Sequence, residues 1–503
     1  MKKLIALILI LLLTLSTLTS CIIINIKDII DILTKEEEEE EEETNTVMTD
    51  SGILSNEGKG LPDGTDGIYN IDFTKSTAAK SVSGIKDHKD GCPTVGSPKV
   101  LVIPVEFTDA SASKYGFTIS SIERAFKGVS SYLNYYSLYD YYYRSSMGKL
   151  DLDITILNYW FVPEHTSDYY KNATIEYNGE TKAIGDQMIM DEALRYLESR
   201  MDLSEFDSDG NGFIDAVVLV NSLNVNEKND FNWAYRYWNI YSDEENHYYQ
   251  YDGVSANDYI WMSCGFLHPM YSTDKYYTSR IDTYALIHEF GHILGAPDYY
   301  DTEVTVKNSD DDPLRGLDVM DSTPGDHNPF TKIHYGWITE SRLVTTDSEI
   351  SVVLQPFSKT GDTIILANDW DESLGAYQEY YIIAYYTDTE LNGKINGNNA
   401  GYYDSNCILV YHVNASLYFE EYGDDCYYYL NNDNTSSNDN APDDNILLEY
   451  VLEDKDYSLR IAYTNGSTMA DQTDDAGELL GYTFTVNYLS GGGAKITITK
   501  ATE

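Results

Sequence analysis

Residues 288–298 read HEFGHILGAPD, and this stretch decides how the rest of the sequence is interpreted. On an α-helix, side chains four residues apart lie on one face, so His288 and His292 can present two imidazoles to one metal ion. Glu289 lies beside them, where it can take a proton from a zinc-activated water. The pattern predicts a helix that carries a zinc site and its general base. A helix with two surface histidines is the alternative.

Two imidazoles do not complete a catalytic zinc site, which needs a third protein ligand and one open position. Gly295 can adopt a left-handed conformation that ends the helix and reverses the chain. Asp298 can then return to the metal as the third ligand. We therefore expect an active-site helix over residues 281–294, followed by a turn that completes the site.

A methionine follows the histidine motif in residues 316–321, which read GLDVMD. In zinc peptidases with a long histidine motif, a methionine turn packs its thioether against the base of the ligands. Met320 fits that role. The alternative for this residue is an ordinary core methionine.

Five segments together resemble the immune-inhibitor-A family of bacterial metzincin-like zinc peptidases, from about residue 100 to residue 337. They are residues 100–109 (VLVIPVEFTD), 145–150 (SSMGKL), 207–217 (DSDGNGFIDAV), 288–301 (HEFGHILGAPDYYD) and 316–337 (GLDVMDSTPGDHNPFTKIHYGW). Weaker similarity continues to the end of the chain. The resemblance implies zinc ligation by His288, His292 and Asp298, a general base at Glu289 and a turn methionine at Met320.

One position departs from the family pattern. Some metzincins carry a tyrosine two residues after the turn methionine, where its hydroxyl can stabilise the oxyanion, and this chain has Ser322 there. Oxyanion stabilisation then falls to zinc alone, to a nearby tyrosine, or to His327. A solvated loop histidine is the alternative for His327.

Residues 207–215 read DSDGNGFID and are typical of a calcium loop. Hard cations bind several oxygens in a tight turn, and carboxylate, amide and main-chain oxygens at alternate positions supply them. The predicted ligands are Asp207, Asp209, Asn211, Phe213 and Asp215. An EF-hand would have its last ligand, a glutamate, where this chain has Val218, so that ligand must come from elsewhere. An acidic turn without metal is the alternative. The acidic turns at 298–301 and 309–312 are weaker calcium candidates.

The composition limits the partners of this chain. Acidic residues outnumber basic ones 83 to 33, which gives the 503 residues a formal charge of -50. Such a field repels phosphate backbones and anionic lipid headgroups, so binding of nucleic acid through charge is excluded. It favours sites for divalent cations. The expected partner is a protein or peptide substrate, and the sequence does not fix the oligomeric state.

The N-terminus predicts a lipoprotein signal. Lys2 and Lys3 precede an apolar stretch at 4–18, and residues 18–21 (LTSC) resemble a bacterial lipobox. Removal of residues 1–20 would leave Cys21 acylated, so a lipid anchor on Cys21 is the expected contact with the membrane. The expected location is the extracellular face of the bacterial cell membrane, with shedding or secretion as a further outcome. An uncleaved signal anchor and a secretory signal without lipid are the alternatives.

Four other cysteines remain after lipidation, which allows up to two disulfides in an exported protein. Cys407 and Cys426 flank an expected hairpin and are the favoured pair. Cys92 immediately precedes the expected catalytic domain, where a thiolate can cap zinc in a latent enzyme. A plain linker cysteine is the alternative for Cys92.

Residue patterning divides the chain into four parts. After the signal, residues 21–95 include eight consecutive glutamates and predict an acidic tether, with or without a pro-segment. Residues 96–340 interleave strand and helix signals, beginning with the buried strand at 99–107, in which Pro104 indicates an edge or bulge. Residues 341–503 consist of short strand signals separated by turns. The expected fold is an α/β (α+β) zincin-type catalytic domain followed by a β-sandwich-like C-terminal domain.

These observations favour a membrane-anchored extracellular zinc endopeptidase. The alternative is a surface adhesin or ligand-binding lipoprotein that acts through its β-rich C-terminal domain, with which the 46 tyrosines are compatible. The intact set His288, Glu289, His292 and Asp298 favours the peptidase, because a pure binding protein does not need it.

Overall fold

The computed structural model describes part of the chain. The described residues are 47–48, 54–55, 61–76, 91–225, 231–241, 248–268, 280–300, 313–314, 318–321, 324–395, 398–399, 406–420, 426–429, 447–451 and 462–501. They have a mixed α/β fold with several sheets.

Eight α-helices form within the described residues. They are α1 (Ala112–Tyr115), α2 (Ile119–Lys127), α3 (Leu138–Ser145), α4 (Ser167–Lys171), α5 (Gly185–Glu198), α6 (Tyr284–Ile293), α7 (Pro329–His334) and α8 (Phe357–Thr360). Short 3-10 turns occupy Phe73–Lys75, Ser130–Tyr132, Leu203–Phe206, Cys264–Leu267 and Glu390–Asn392.

The strands fall into two groups along the chain. The first group is β1 (Val47–Met48), β2 (Leu54–Ser55), β3 (Ile68–Asp72), β4 (Lys99–Val105), β5 (Asp153–Ile156), β6 (Thr174–Tyr177), β7 (Glu180–Ala183), β8 (Ala216–Asn221), β9 (Tyr235–Trp238), β10 (Gln250–Tyr251), β11 (Val254–Ser255) and β12 (Asp258–Ser263). The second is β13 (Glu340–Val344), β14 (Glu349–Leu354), β15 (Thr363–Leu366), β16 (Glu379–Tyr386), β17 (Lys394–Ile395), β18 (Asn398–Asn399), β19 (Cys407–Asn414), β20 (Leu417–Glu420), β21 (Cys426–Tyr429), β22 (Leu448–Tyr450), β23 (Thr468–Met469), β24 (Tyr482–Ser490) and β25 (Gly493–Lys500).

A five-stranded sheet carries the candidate site. Its order is β5-β4-β8-β12-β9, with β9 antiparallel at one edge and the other neighbours parallel. Strands β4, β8 and β12 are apolar and almost wholly buried because helices cover both faces. One face packs on α5, where Ile189 and Leu194 meet Leu101. The opposite face packs on α6, which places the histidine motif against the sheet.

Strand β4 lies inside this sheet, so the edge position expected from Pro104 is wrong. Pro104 is opposite Val220 of β8. On the other side, the ladder with β5 ends at Val102, and the carbonyl of Pro104 accepts from the amide of Phe161. The ring is tolerated because the proline falls beyond the end of the β5 ladder.

Two further sheets follow residue 340. A six-stranded sheet has the order β22-β19-β16-β15-β13-β3, and a four-stranded antiparallel sheet has the order β14-β25-β24-β23. Apolar side chains of both sheets form one cluster, in which Ile383 and Val410 join Phe484 and Ile496. The other face of the six-stranded sheet belongs to the same apolar core as α6. The division at residue 340 therefore separates sheets that share a core.

Residues 68–72 fall in the segment that the sequence assigns to an acidic tether, and the structure corrects that assignment here. Strand β3 pairs antiparallel with β13 and forms the edge of the six-stranded sheet. Ile71 is buried and packs in the core. Its pairing partner lies more than 250 residues away, so local composition alone did not reveal the strand.

Three cysteines are free thiols in the core. Cys92, Cys264 and Cys407 are buried and unpaired. The favoured Cys407–Cys426 disulfide is therefore wrong: Cys407 lies opposite Tyr386 of β16, whereas Cys426 begins β21, which pairs with β20. Within the described ranges, no helix is long and apolar enough to span a membrane. Cys21 and the rest of residues 1–46 lie outside the described residues.

Candidate metal centre

Helix α6 and the turn after it bring the three predicted zinc ligands together. His288 and His292 lie one turn apart, and their rings meet edge to face with centroids 4.9 Å apart. The helix ends because Gly295 adopts a φ of 98°, which a residue with a side chain rarely reaches. The reversed chain then places Asp298 Oδ1 3.0 Å from His288 Nε2 and 3.2 Å from His292 Nε2.

The hydrogen bonds of the two imidazoles leave both Nε2 atoms directed at Asp298. His288 Nδ1 lies 2.8 Å from the carbonyl oxygen of Val319, and His292 Nδ1 lies 2.7 Å from that of Ala296. A carbonyl only accepts, so each Nδ1 donates. This outer contact orients a histidine ligand and makes its other nitrogen available for a metal.

The residues fit a zinc ion. Ligands about 2.1 Å from a tetrahedral zinc ion lie about 3.4 Å apart, close to the two separations at Asp298. Asp298 Oδ1 is buried and has no hydrogen bond of acceptable geometry in the described part of the chain, despite its two close neighbours. A cation between the three atoms would satisfy all of them.

In the metal-free cluster, Asp298 and His292 shift each other's pKa values. Burial opposes charge on His292, but the neighbouring Asp298 outweighs it and raises the pKa of His292 to about 9. Burial likewise raises the pKa of Asp298, yet the two imidazoles hold that pKa well below its usual range. Without metal, a proton therefore takes the place of the cation.

Glu289 points toward the edge strand of the five-stranded sheet. Its Oε2 accepts from the backbone amide of Arg236 in β9, at 2.9 Å. Burial raises the pKa of Glu289, and Asp298 adds to the effect, while the two histidines oppose it. A carboxylate with a raised pKa is better matched to proton transfer near neutrality. The amide of Arg236 is a contact that the motif gave no means of finding.

Met320 lies beneath the histidine helix. A Cβ atom at Gly291, which is between the two histidines, would be 2.2 Å from Met320 Sδ. The turn is held because the Met320 amide donates to Asp318 Oδ1 and its carbonyl accepts from the Tyr299 amide. Met320 is thus a core methionine, and its side chain packs directly against the helix that carries the predicted ligands. Ser322 lies outside the described residues.

His327 is not at the site surface, which contradicts its predicted contact with substrate or oxyanion. The imidazole is fully buried among the rings of Tyr141, Tyr142, Tyr335 and Trp337, at centroid distances of 5.5 to 5.8 Å. Burial lowers its pKa well below the usual value, so the ring is neutral. Residues 324–328 fold inward instead of forming a solvated loop.

Two tyrosines that the sequence did not single out lie near the cluster. Tyr300 is partly exposed, and its ring stacks over His288 with centroids 6.4 Å apart. Burial, and then the charge of Asp298, raise the pKa of Tyr300. Tyr284 is oriented differently, since its hydroxyl donates to the carbonyl of Asp321. Tyr300 is therefore the candidate for the nearby tyrosine left open above, and it ends the sequence GAPDYY of the motif itself.

The predicted calcium loop brings three of its carboxylates together. One oxygen atom from each of Asp207, Asp209 and Asp215 lies within 4.8 Å of the others. Gly210 and Gly212, at φ of 76° and 91°, make the turn. Val218 cannot complete the set because it lies in the buried strand β8.

Backbone amides hold the loop in shape. Asp207 accepts from the amides of Gly210 and Gly212, and Asn211 Oδ1 accepts from the amide of Phe213. Asp215 joins the loop to the sheet, because its Oδ2 accepts from the amide of Lys99. The oxygens suit a hard cation. The acidic turn at 309–312 lies outside the described residues.

Cys92 does not serve as a thiolate ligand in this structure. Its side chain is buried in the apolar core, and its thiol faces the carbonyl of Pro93 at 3.6 Å. Burial, and then the charge of Asp215, raise the pKa of the Cys92 thiol well above its usual range. The protonated thiol packs as a core residue.

Comparison with models of known protein families and with curated proteins finds no match for this chain.

Proposed function

We propose that the chain is a zinc-dependent endopeptidase of the immune-inhibitor-A type. The observation that carries the proposal is the convergence of His288, His292 and Asp298 on one point, with Glu289 beside them. Asp298 Oδ1 accepts no hydrogen bond of acceptable geometry from the described residues, so a cation could bind to it without replacing another partner. The five-stranded sheet with α6 on one face is then a zincin-type catalytic domain, and the two sheets after residue 340 are a β-sandwich-like unit.

The edge strand β9 supports a peptide as the substrate. The amide of Arg236 points away from β12 and toward Glu289, so the edge of β9 that pairs with no described strand runs beside the site. An extended peptide can add to such an edge through main-chain hydrogen bonds. Main-chain binding would place a scissile bond of many sequences next to Glu289, which is the behaviour of an endopeptidase.

The residues of the chain divide the chemistry among them. A zinc ion held by His288, His292 and Asp298 would supply the Lewis acid that polarises the scissile carbonyl. Glu289 takes the proton of the attacking water and later delivers it to the leaving amine. Tyr300 supplies a hydroxyl near the developing oxyanion. The carbonyls of Val319 and Ala296 keep both imidazoles oriented throughout.

The remaining assignments follow from this role. A calcium ion at Asp207, Asp209, Asn211, Phe213 and Asp215 would brace the loop that begins β8. Lipidation at Cys21 would hold the enzyme at the outer face of the membrane, where protein substrates are available.

Proteolysis by the mature chain tests the proposal. Residues 21–503 with Cys21→Ser, and the same protein with Glu289→Ala, are incubated with an unfolded protein, zinc and calcium, and products are read by mass spectrometry. We expect cuts by the parent that a chelator blocks and that the variant does not make. Loss of a general base costs roughly 100- to 10,000-fold in rate. A fully active Glu289→Ala protein would exclude the assigned base, and binding of a surface ligand by an inactive parent would favour the adhesin.

A further inference from the structure

A second group of metal-ligating side chains lies far from the histidine motif in sequence. Glu379 begins β16, His412 lies in β19, and Asp475 is in the turn between β23 and β24. His412 is opposite Tyr381 in the six-stranded sheet, so its ring is on the face that meets the four-stranded sheet. The group therefore joins one sheet to a turn of the other.

The ligand atoms of this group lie close enough together to contact one cation. His412 Nε2 lies 2.8 Å from Glu379 Oε1 and 3.9 Å from Asp475 Oδ1. One ligand atom from each of the three residues lies within 4.8 Å of the others. These separations lie on either side of the roughly 3.4 Å expected between two ligands of one tetrahedral zinc ion.

The group carries a net negative charge without a cation. Among the described residues, His412 is the only ion-pair partner of Glu379 and Asp475. Two carboxylates and one protonated imidazole sum to a charge of minus one, and the side chain of His412 is only 11% exposed. A neutral imidazole with a divalent cation brings the sum for these three residues to zero, and the nearby carboxylate of Glu449 adds a further negative charge that favours a cation.

The surroundings hold the three side chains in place. The amide of Asp475 donates to Glu379 Oε1 at 2.7 Å, and the Asn414 side chain donates to Asp475 Oδ2. The ring of Tyr381 stacks on His412 with centroids 4.6 Å apart, while its hydroxyl donates to the carbonyl of Thr473. The ligands are therefore fixed before any metal binds, as a structural site requires.

A third carboxylate, that of Glu449, lies on the other side of the imidazole. Glu449 Oε2 lies 4.0 Å from His412 Nδ1, on the side away from Asp475. In the metal-free protein Nε2 donates a hydrogen bond to Glu379 Oε1. When a metal takes the lone pair of Nε2, the negative charge beside Nδ1 favours a proton on Nδ1, as in carboxylate–histidine–zinc arrangements. An imidazole ligand also selects a transition metal over calcium, which prefers oxygen alone.

We propose that Glu379, His412 and Asp475 form a structural zinc site that ties the turn between β23 and β24 to the six-stranded sheet. This site is separate from the histidine motif and does not depend on the proposed peptidase activity. Zinc bound there stabilises the contact between the two sheets.

Zinc content and thermal unfolding of the mature chain test this site. Residues 21–503 with Cys21→Ser are loaded with Zn²⁺, dialysed against a weak chelator and analysed by metal emission spectrometry. The variants are His412→Gln and Asp475→Asn, with Glu478→Gln as a matched control, because Glu478 is an exposed carboxylate of the same turn. We expect both ligand variants to lose one zinc equivalent relative to the parent and to lose part of its zinc-induced rise in melting temperature.

The control should retain the zinc content and the melting temperature of the parent. His292→Gln should lose a different equivalent, so the two sites are counted separately. If His412→Gln fails to fold, the result for Asp475→Asn is sufficient to test the site. The Asp475 side chain is 45% exposed and asparagine has the same shape, so this variant should fold. Parental zinc content and zinc response in Asp475→Asn would overturn the proposal.

Discussion

Individual residues of the histidine motif were predictable because the chemistry and the helix period are both local. His288, His292 and Asp298 lie within eleven residues, and the one unusual backbone angle between them falls on Gly295. His327 was not predictable in this way. A histidine between Asp and Asn looks solvated in sequence, yet it is buried because distant aromatic rings from α3 and from residues 335 and 337 enclose it.

A buried ion pair next to His327 gives a test at the residue scale. Lys332 Nζ lies 2.6 Å from Asp326 Oδ2, and both side chains are fully buried. Ser145 donates to the other carboxylate oxygen. Removing either charge leaves its partner buried alone, which typically costs about 3–5 kcal/mol, whereas removing both is much less costly. We expect Lys332→Met and Asp326→Asn each to lower the free energy of unfolding by about that amount.

The double variant is the control for this pair. Denaturant titration should show that the double variant is more stable than either single variant. Losses that simply add would contradict the view that the two charges depend on each other.

At the scale of elements, the periodic pattern of apolar residues predicted a helix, because local sequence controls where a helix forms. The helix expected over 281–294 is confirmed as α6. Strand β3 was not recognised because its partner β13 is distant in sequence. The cluster of Glu379, His412 and Asp475 was missed for the same reason, since strand pairing and a turn bring these residues together.

The contact between α6 and the methionine turn gives a test at the element scale. Alanine at position 291 would favour the helix by roughly 1 kcal/mol, but its Cβ would overlap Met320 Sδ. Overpacking a core typically costs about 1–3 kcal/mol. We expect Gly291→Ala, introduced into the parent protein without metal, to lower the free energy of unfolding.

The same change should be neutral or stabilising in a Met320→Ala background, where the sulfur is gone. A double-mutant cycle by denaturant titration measures this difference. Equal effects in the two backgrounds would show that Met320 does not press against the helix.

At the scale of the whole molecule, the excess of acidic residues should affect which substrates reach the site. A net charge of -50 raises the local concentration of cations and slows the approach of anions. Two peptides can carry the same cleavage sequence, one flanked by lysines and the other by glutamates. At low salt, kcat/KM should be higher for the lysine-flanked peptide by on the order of tenfold or more.

Salt is the control for this effect, because ions screen charges beyond about 10 Å at 0.1 M. The ratio of the two kcat/KM values should fall toward one as salt increases. A ratio that does not change with salt would assign the preference to local contacts instead of the overall field.

The change of pattern near residue 340 does not reveal that the six-stranded sheet shares a core with α6. The six-stranded sheet packs one face on the core that also contains α6 and the other on the four-stranded sheet. Burial on both faces of a sheet depends on tertiary packing, which strand signals do not encode.

Zinc-dependent recovery of activity tests the proposed zinc site and its general base together. The metal-free mature chain and its Glu289→Gln variant are titrated with Zn²⁺ while zinc binding and cleavage of a fluorogenic unfolded substrate are followed together. We expect both proteins to bind zinc at the histidine motif and only the parent to gain activity, with the variant lower by roughly 100- to 10,000-fold. Parental activity without zinc, or equal activity in the Glu289→Gln variant, would contradict this expectation.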